Sequence, residues 1–255
     1  MGPLFGIMTT PRWHIGAKDL RGAIAAYAKR FDLLEVRVAP AEAEGGVMSP
    51  TLATLRRWRK GVPPHFVFSV VGGPVLSRVK GGKEADRELD GARAAIDALQ
   101  ARCFVLRTPP DVTPASIWRD RIAKVIDKFP RDVTHFVWEP SGVWEAETAA
   151  AQARAWGVLL AVDPAKDPVA AGPVAYVRLK ALGETRSFSQ TALERVVVAV
   201  GAKREVFAVV ETDSVLTESK RLKQIVRSLG TASAGGAARL VRPRSGIVVR
   251  DDEQE

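Results

Sequence analysis

The segment AYAKRFDLLEVRV, residues 26–38, joins the end of an amphipathic helix to a short apolar strand. Leu20, Ile24, Tyr27 and Ala28 recur at helical spacing, which predicts that one face of this helix packs against a core. The strand that follows is nearly continuous in hydrophobicity, which is typical of a strand covered on both faces in a parallel sheet. The segment therefore predicts one helix–strand unit of an α/β fold.

The same unit recurs along the whole chain, because short apolar runs alternate with longer amphipathic stretches. Eight strands are predicted, at residues 4–9, 33–38, 65–71, 102–108, 133–138, 157–162, 175–180 and 205–211. Seven helices are predicted between and after them, at residues 17–30, 50–60, 83–100, 114–128, 146–156, 191–201 and 217–229. The connection at 163–174 is rich in Pro, Ala and Gly and is predicted to be a loop.

Eight strand–helix repeats in about 230 residues predict a TIM-type (β/α)8 barrel. The structural alternative is an open, doubly wound sheet. No strand is followed by the Gly-x-Gly-x-x-Gly turn of dinucleotide-binding sheets, and the repeat count matches the barrel. We therefore predict an α/β barrel domain at residues 1–229 and no cofactor.

A change of composition follows the last predicted helix. Residues 230–238 read GTASAGGAA, which is typical of a flexible linker. Four arginines follow at 239–250, and the chain closes with the acidic residues of 251–255. Residues 230–255 are therefore predicted to be a flexible extension with a basic and an acidic part.

Composition excludes several classes of protein. Of 255 residues, 46% are hydrophobic and 26% are charged, which excludes a disordered or fibrous chain. Cys103 is the single cysteine, so an internal disulfide is excluded and a reducing compartment is expected. The sequence shows neither a secretion signal nor an apolar stretch long enough to span a membrane, so we predict a cytoplasmic protein without membrane contact.

Five segments in order carry a family resemblance. The first is the opening segment with Tyr27, Ala28, Phe31 and Glu35. The others are LRRWRKGVPPHFVFSVV at 55–71, FVLRTPP at 104–110, HFVWEPSGVW at 135–144 and YVRLK at 176–180. Together they resemble the YecE-like family, domain of unknown function 72. That resemblance spans most of the chain and implies an α/β barrel whose biochemical role is unassigned.

The ends of the strands depart from the pattern of that family. A Gly-Thr-Ser-Gly-Trp type turn is usual after the first strand, where this chain has Gly6 to Thr10. An arginine usually follows the glutamate of the fifth strand, where Pro140 and Ser141 stand here. A His-Gly pair is usual after the arginine of the seventh strand, and Phe-Asn-Asn after the eighth; this chain has Lys180-Ala181 and Glu211-Thr212-Asp213. The resemblance thus implies a divergent member and transfers little of the site.

Charged residues gather at the predicted carboxyl ends of the strands, where α/β barrels place their active sites. Glu35 is predicted to face the barrel interior, where an unpaired carboxylate costs several kcal/mol, so a cation such as Arg37 or Arg178 must lie beside it. Two interpretations stay open: a buried ion pair, or a carboxylate for acid/base chemistry beside an anion-binding arginine. Glu139, at the end of the fifth strand, is the second acid/base candidate.

Arg178 and Lys180 are two residues apart on one strand and so share a face. This spacing suggests contacts to a small anionic or phosphate-containing ligand, and a salt-bridged rim is the alternative. Further candidate substrate-binding residues at the predicted strand ends are Trp13, His14, Arg37 and Glu211. The three histidines are too few and too dispersed for a multi-histidine metal centre, and no metal site is predicted.

Positive charge is concentrated near the C-terminus. The net charge of the chain is +9, and eight Lys and Arg residues against one acid fall within residues 215–250. Lys220, Arg221, Lys223 and Arg227 lie on the last predicted helix and are candidates for contacts to a nucleic-acid backbone. A solvated helix face is the alternative interpretation.

Two hypotheses of function follow. The first is a barrel that binds a small anion at its mouth and carries out a hydrolase-like or lyase-like reaction with Glu35 and Glu139. The second is a non-catalytic binding barrel whose site has decayed, associated with nucleic acid through its basic C-terminal flank.

Overall fold

Eight parallel strands close into a barrel in which each strand pairs with its neighbours in chain order. The structure, a computed structural model, describes residues 11–20, 22–38, 49–129, 134–181 and 187–237. The strands are β1 Arg12–Lys18, β2 Leu33–Arg37, β3 Val67–Val71, β4 Cys103–Arg107, β5 His135–Glu139, β6 Leu159–Val162, β7 Val174–Leu179 and β8 Glu205–Val210. The predicted (β/α)8 barrel is confirmed.

Helices surround the barrel. They are α1 Ile24–Ala28, α2 Leu52–Lys60, α3 Pro74–Ser77, α4 Lys83–Leu99, α5 Ser116–Asp127, α6 Ala146–Trp156, α7 Gln190–Val200 and α8 Val215–Ala237. The connection between β6 and β7 contains no helix, as predicted, and all of its residues are described. Within the described part of the chain, no helix has the length and apolar character needed to cross a membrane.

The first strand is not where the sequence placed it. The predicted strand at residues 4–9 lies outside the described residues, and β1 is Arg12–Lys18, which pairs in parallel with β2 and β8. The predicted helix at 17–30 is correspondingly shorter, since α1 has only five residues. The first strand therefore ends at Lys18, and Gly6 to Thr10 do not correspond to the turn that usually follows the family's first strand.

The last helix is longer than predicted. The backbone of α8 stays helical to Ala237, so the part of 230–238 up to that residue is not an irregular linker. The division of the chain at residue 229 stays a prediction.

Two apolar layers hold the barrel together. One lies between the strands and the helices, and a smaller one fills the barrel interior with Leu33, Val105, Tyr176 and Phe207 among its members. Tyr27 ties α1 to the sheet, because its hydroxyl accepts from the Ala17 N–H at 2.9 Å and donates to the Leu33 carbonyl at 2.8 Å. The interior layer fills the barrel between the two ends of its strands.

β1 and β2 approach so closely that one position requires glycine. A Cβ at Gly16 would lie 1.7 Å from the carbonyl oxygen of Leu33, which no side chain can occupy. Gly16 therefore permits the register in which Lys18, at the end of β1, pairs with Glu35 of β2.

Candidate functional site

Alternation along the strands brings charged side chains together at the carboxyl end of the barrel. Glu35 on β2, Glu139 at the end of β5 and Glu211 after β8 all reach Arg178 on β7. We call these four residues, together with Lys18, Arg107 and Lys180, the mouth cluster.

Arg178 is the centre of the mouth cluster. Its Nη1 and Nη2 donate to Oε1 and Oε2 of Glu35 at 3.0 and 2.6 Å, and Nη1 also donates to Oε1 of Glu211. Its Nε lies 2.8 Å from Oε2 of Glu139, but these two atoms are not aligned as a hydrogen bond. Although burial acts to lower it, the Glu35 carboxylate foremost holds the pKa of Arg178 well above its ordinary value. The guanidinium is therefore permanently charged and is surrounded by carboxylates.

Three further cations lie above these carboxylates. Lys180 Nζ lies 2.9 Å from Glu139 Oε1, Lys18 Nζ lies 3.1 Å from Glu211 Oε2, and Arg107 Nε lies 3.3 Å from Glu139 Oε2. The three cationic side chains are 41%, 44% and 30% exposed, whereas the carboxylate side chains of Glu139 and Glu211 are 8% and 11% exposed. Within the mouth cluster, the three cations are therefore more exposed than the Glu139 and Glu211 carboxylates that they contact.

A short chain of hydroxyl groups supports Glu35 from below. The Tyr176 hydroxyl donates to Glu35 Oε2 at 2.6 Å and lies 3.1 Å from Ser69 Oγ. All three side chains are buried in the barrel. Glu35 is thus fixed between a hydroxyl beneath it and Arg178 beside it, and the predicted ion pair of Glu35 with Arg178 is present.

Two carboxyl groups near the mouth differ in acidity. Although burial acts to raise it, the charges of Arg178 and Lys18 lower the pKa of Glu211 to about 2. Burial raises the pKa of Asp163 above its ordinary value, against the opposing effect of the Ala165 and Lys180 N–H groups that it accepts. Burial of Asp163 therefore favours its protonated form, the form that can donate a proton.

Trp13 and His14 do not lie at the mouth. Because β1 begins at Arg12, both residues are at its amino-terminal end, paired in register with Val206 and Phe207. The prediction that they lie at the mouth is wrong for this reason.

His14 takes part in a different polar network at the opposite end of the barrel. Its Nε2 lies 2.8 Å from Oε1 of Glu205, and Arg102 holds both oxygens of that carboxylate at 2.7 and 2.8 Å. Burial lowers the pKa of His14, although the hydrogen bond to Glu205 opposes this. The imidazole also stacks on Phe207, with 5.3 Å between ring centroids. This network covers the amino-terminal end of the barrel, which we call the barrel floor.

Arg37 lies at the end of β2 with its side chain in solvent. It forms no ion pair with any residue that the structure describes, so Glu35 selects Arg178 and not Arg37 as its cation. Within the described ranges, no three or more His, Cys, Asp or Glu side chains are grouped so that they could hold a metal ion.

Comparison with known proteins identifies the family. The family model described as a protein of unknown function, DUF72, matches residues 13–243. The chain belongs to this family. The match begins at the observed β1 and so agrees with the corrected position of the first strand. A search of curated proteins gave no match.

Solved structures of DUF72 proteins share the fold. A DUF72 protein of Enterococcus faecalis V583 is 13% identical, with a TM-score of 0.65 over 84% of this chain and 95% of that one. A DUF72 protein of Thermotoga maritima MSB8 is 14% identical, with a TM-score of 0.60 over 86% and 99%. A xylose isomerase domain containing protein of Salmonella typhimurium LT2 is 17% identical, with a TM-score of 0.55 over 86% and 96%. At these identities the likeness concerns the barrel fold alone.

The basic residues of α8 in this DUF72 protein divide into two groups. Lys220, Arg221 and Arg227 are exposed. Lys223 is half-buried; its Nζ lies 2.7 Å from Asp32 Oδ2 and donates to the Arg30 carbonyl at 2.9 Å. Lys223 therefore helps to attach α8 to the barrel, and contact of this helix with nucleic acid stays a prediction.

Sequence reasoning missed one residue of the mouth cluster, Lys18, because it placed that lysine in a helix. The signal was available in the segment RWHIGAK, residues 12–18, where alternate positions face the barrel interior. Arg107, which the sequence also places at a predicted strand end, lies at the end of β4.

Proposed function

We propose that the mouth of this barrel binds a small anion, of the phosphate or carboxylate class, through Lys18, Lys180 and Arg107. The observation that carries the proposal is a difference in exposure. The three cationic side chains are 30–44% exposed, whereas the carboxylates that they contact are 8–11% exposed. An approaching ligand meets ammonium and guanidinium groups first. A ligand of the same sign as the carboxylates is therefore attracted and not repelled.

The carboxylates make this cation ring rigid. Glu139 holds Lys180 and Arg107, while Glu211 holds Lys18. Long lysine side chains lose conformational entropy when they bind a ligand, and prior fixation by a carboxylate reduces that cost. The seven side chains of the mouth cluster comprise four cations and three carboxylates, a net charge of +1 among them.

Arg178 has a positioning role in this proposal. The sequence suggested it as a ligand contact, but its donors face Glu35, Glu139 and Glu211, and its side chain is 2% exposed. It neutralises the three carboxylates and holds them in place, and Glu139 and Glu211 in turn hold the exposed cations. Arg37, exposed at the end of β2, supplies further positive charge at the rim.

The proposal extends to hydrolase-like or lyase-like acid/base chemistry at the same mouth. Glu35 is buried and is held by Arg178, so Glu139, which contacts Lys180 directly, is the better placed of the two predicted carboxylates. Asp163 accepts the backbone N–H of Lys180, and burial raises its pKa. We therefore assign the role of base to Glu139 and that of acid to Asp163 in this proposal, since both contact Lys180.

Calorimetric titration with inorganic phosphate and with acetate tests anion binding. We expect saturable binding of at least one anion, weaker by at least fivefold in Lys180→Met and in Lys18→Met. Lys124→Met, which removes an exposed lysine on α5 away from the mouth, is the matched control and should bind like the parent protein. Equal affinities in all four proteins, or no binding of either anion, would contradict the proposal.

A second candidate function rests on the exposure of Lys220, Arg221 and Arg227 along α8. We propose that this helix contacts the phosphate backbone of a nucleic acid. Fluorescence anisotropy with a labelled 20-nucleotide DNA should then show affinity that falls steeply with salt. Replacement of all three residues by glutamine should flatten the salt dependence, and Lys180→Met should leave it unchanged. Salt-independent binding, or none, would reject this candidate.

A further inference from the structure

We infer that the ligand of the mouth is a hydroxylated organic anion whose body occupies a cavity between α1 and α8. This inference rests on the proposed anion site, because the cavity begins at the same residues. It adds a substrate class to that site, namely a phosphate or carboxylate carried on a polyhydroxylated carbon skeleton.

The cavity has a volume of about 730 Å³ and lies between the ends of β1 and β8 and the helices that follow them. Its size comes from the sequence of α1, which has only five residues and contributes small side chains to the wall. Gly22, Ala23 and Ala26 line this side. A volume of several hundred cubic ångströms is typical of small-molecule sites.

The cavity and the mouth cluster share a wall. Lys18 and Glu211 line the cavity, and their Nζ and Oε2 atoms lie 3.1 Å apart. Glu211 also contacts Arg178 at the centre of the mouth. An anion bound at the Lys18 ammonium is therefore already at the edge of the cavity, and any group attached to it has this space beside it.

Polar residues at the mouth end of the cavity indicate what the attached group carries. Asp19, Thr212, Asp213 and Ser214 line this end. Neither Asp19 nor Asp213 takes part in an ion pair with another residue in the described ranges. Both side chains are exposed, and an ionised carboxylate only accepts hydrogen bonds, so a ligand group that binds them must donate. A hydroxyl group donates without adding positive charge, which suits a ligand that is anionic.

Asp19 is held in an unusual backbone conformation at this position. Its φ is 59°, in the left-handed region that residues other than glycine seldom adopt, and its N–H donates to the Glu35 carbonyl at 3.1 Å. Such strain persists only where the surrounding structure enforces it, and it is concentrated at functional sites. The backbone position from which the Asp19 side chain extends is thus fixed beside the mouth.

Part of the remaining wall is apolar. Phe31, Val210, Val215 and Leu216 contribute to it, and Arg30 and Thr217 add polar groups. Leu216 is 46% exposed, so a bound ligand could cover part of its apolar surface. A carbon skeleton that carries hydroxyl groups fits a wall that is partly polar and partly apolar.

The test compares bare anions with anions that carry a polyhydroxylated body. Affinities of the full chain are measured by calorimetry for inorganic phosphate, acetate, D-ribose 5-phosphate and D-gluconate. We expect at least one hydroxylated anion to bind tenfold or more tightly than the bare anion with the same charged group. Ala26→Trp, which fills the cavity, should abolish this gain and leave the affinity for the bare anion unchanged.

Ala25→Trp is the matched control, since Ala25 is exposed on the same helix but does not line the cavity, and it should retain the gain. Ala23→Phe is a second blocking variant, and circular dichroism verifies that each variant is folded. If phosphate or acetate binds but no hydroxylated anion gains affinity, or if the gain survives both blocking variants, the inference is overturned while the anion site stands. If neither bare nor hydroxylated anions bind, the anion site itself is overturned.

Discussion

Arg178 and Glu35 form a bidentate ion pair across the interior of the barrel, with donor–acceptor distances of 3.0 and 2.6 Å. Both residues are 2% exposed and are 143 positions apart in sequence. A buried charge without a partner costs several kcal/mol, so each residue requires the other. Glu139 and Glu211 contact the same guanidinium, which makes Arg178 the cation on which three carboxylates depend.

Replacement of Arg178 by methionine should strongly destabilise the fold, because it leaves the buried Glu35 carboxylate without its cation. We expect the free energy of unfolding to fall by about 3–5 kcal/mol at pH 7, measured by urea denaturation. The double variant Arg178→Met/Glu35→Gln should lose less than the sum of the two single variants. A loss below about 1 kcal/mol for Arg178→Met would show that the carboxylates do not rely on it.

Glu211 should make the protein sensitive to acid. Its pKa is lowered from 4.5 to about 2 in the folded state, so the unfolded chain takes up the proton first. The stability that Glu211 contributes is complete above pH 4.5 and is lost as pH falls toward 2. After allowance for screening by solvent, we expect a contribution of about 2 kcal/mol.

Urea denaturation between pH 7 and pH 3 measures this effect. Glu211→Gln should be less stable than the parent at pH 7, and its stability should decline less as pH falls below 4.5. Parallel pH profiles for the two proteins would contradict the assignment of this acid sensitivity to Glu211.

His14 should add a second pH dependence at higher pH. Burial lowers its pKa below the ordinary 6.5, so the unfolded chain binds the proton more tightly than the folded chain. Stability contributed by neutral His14 is present above pH 6.5 and declines as pH falls below that value. Burial lowers the pKa of His135 as well, so the decline has two sources.

His14→Gln should therefore reduce, but not remove, the loss of stability between pH 7 and pH 5. Glutamine keeps an N–H donor for Glu205, so the polar network at the barrel floor retains its geometry. Thermal unfolding followed by circular dichroism at several pH values provides the measurement. An unchanged slope in His14→Gln would show that this imidazole does not resist protonation.

Two glycine-to-alanine substitutions should have opposite effects. Gly16→Ala would place a Cβ 1.7 Å from the Leu33 carbonyl oxygen, so β1 and β2 would have to separate and the protein should lose most of its stability. Gly91 lies within α4 and has open space where a Cβ would be, so Gly91→Ala should stabilise the protein by about 1 kcal/mol. Tolerance of alanine at position 16 in a thermal melt would contradict the observed register of β1.

The fold was predictable because strand and helix periodicities are local properties. The predicted seventh strand, 175–180, differs by one residue at each end from the observed Val174–Leu179. The prediction of the first strand failed because the apolar run at residues 4–9 is more continuous than the true strand, RWHIGAK. The His, the Gly and the charged ends of RWHIGAK weaken the usual strand pattern. Burial inside the barrel, which local periodicity does not reveal, makes that segment a strand.

The candidate site was predictable only in part. Two-residue spacing correctly gave Arg178 and Lys180 one face and placed Glu35 in the interior. The choice among cations depends on which strands face each other across the closed barrel, and sequence spacing does not define that. For the same reason the sequence did not show that Arg178 is enclosed by carboxylates while Lys18 and Lys180 are the exposed charges.

The position of a bound anion tests the central claim most directly. Crystals grown with selenate locate that anion by the anomalous scattering of selenium. We predict a selenate at the mouth, within hydrogen-bonding distance of the ammonium group of Lys180 or Lys18, and its loss from crystals of Lys180→Met. Selenate bound elsewhere on the protein, with the mouth empty and the Lys180–Glu139 contact intact, would contradict the account.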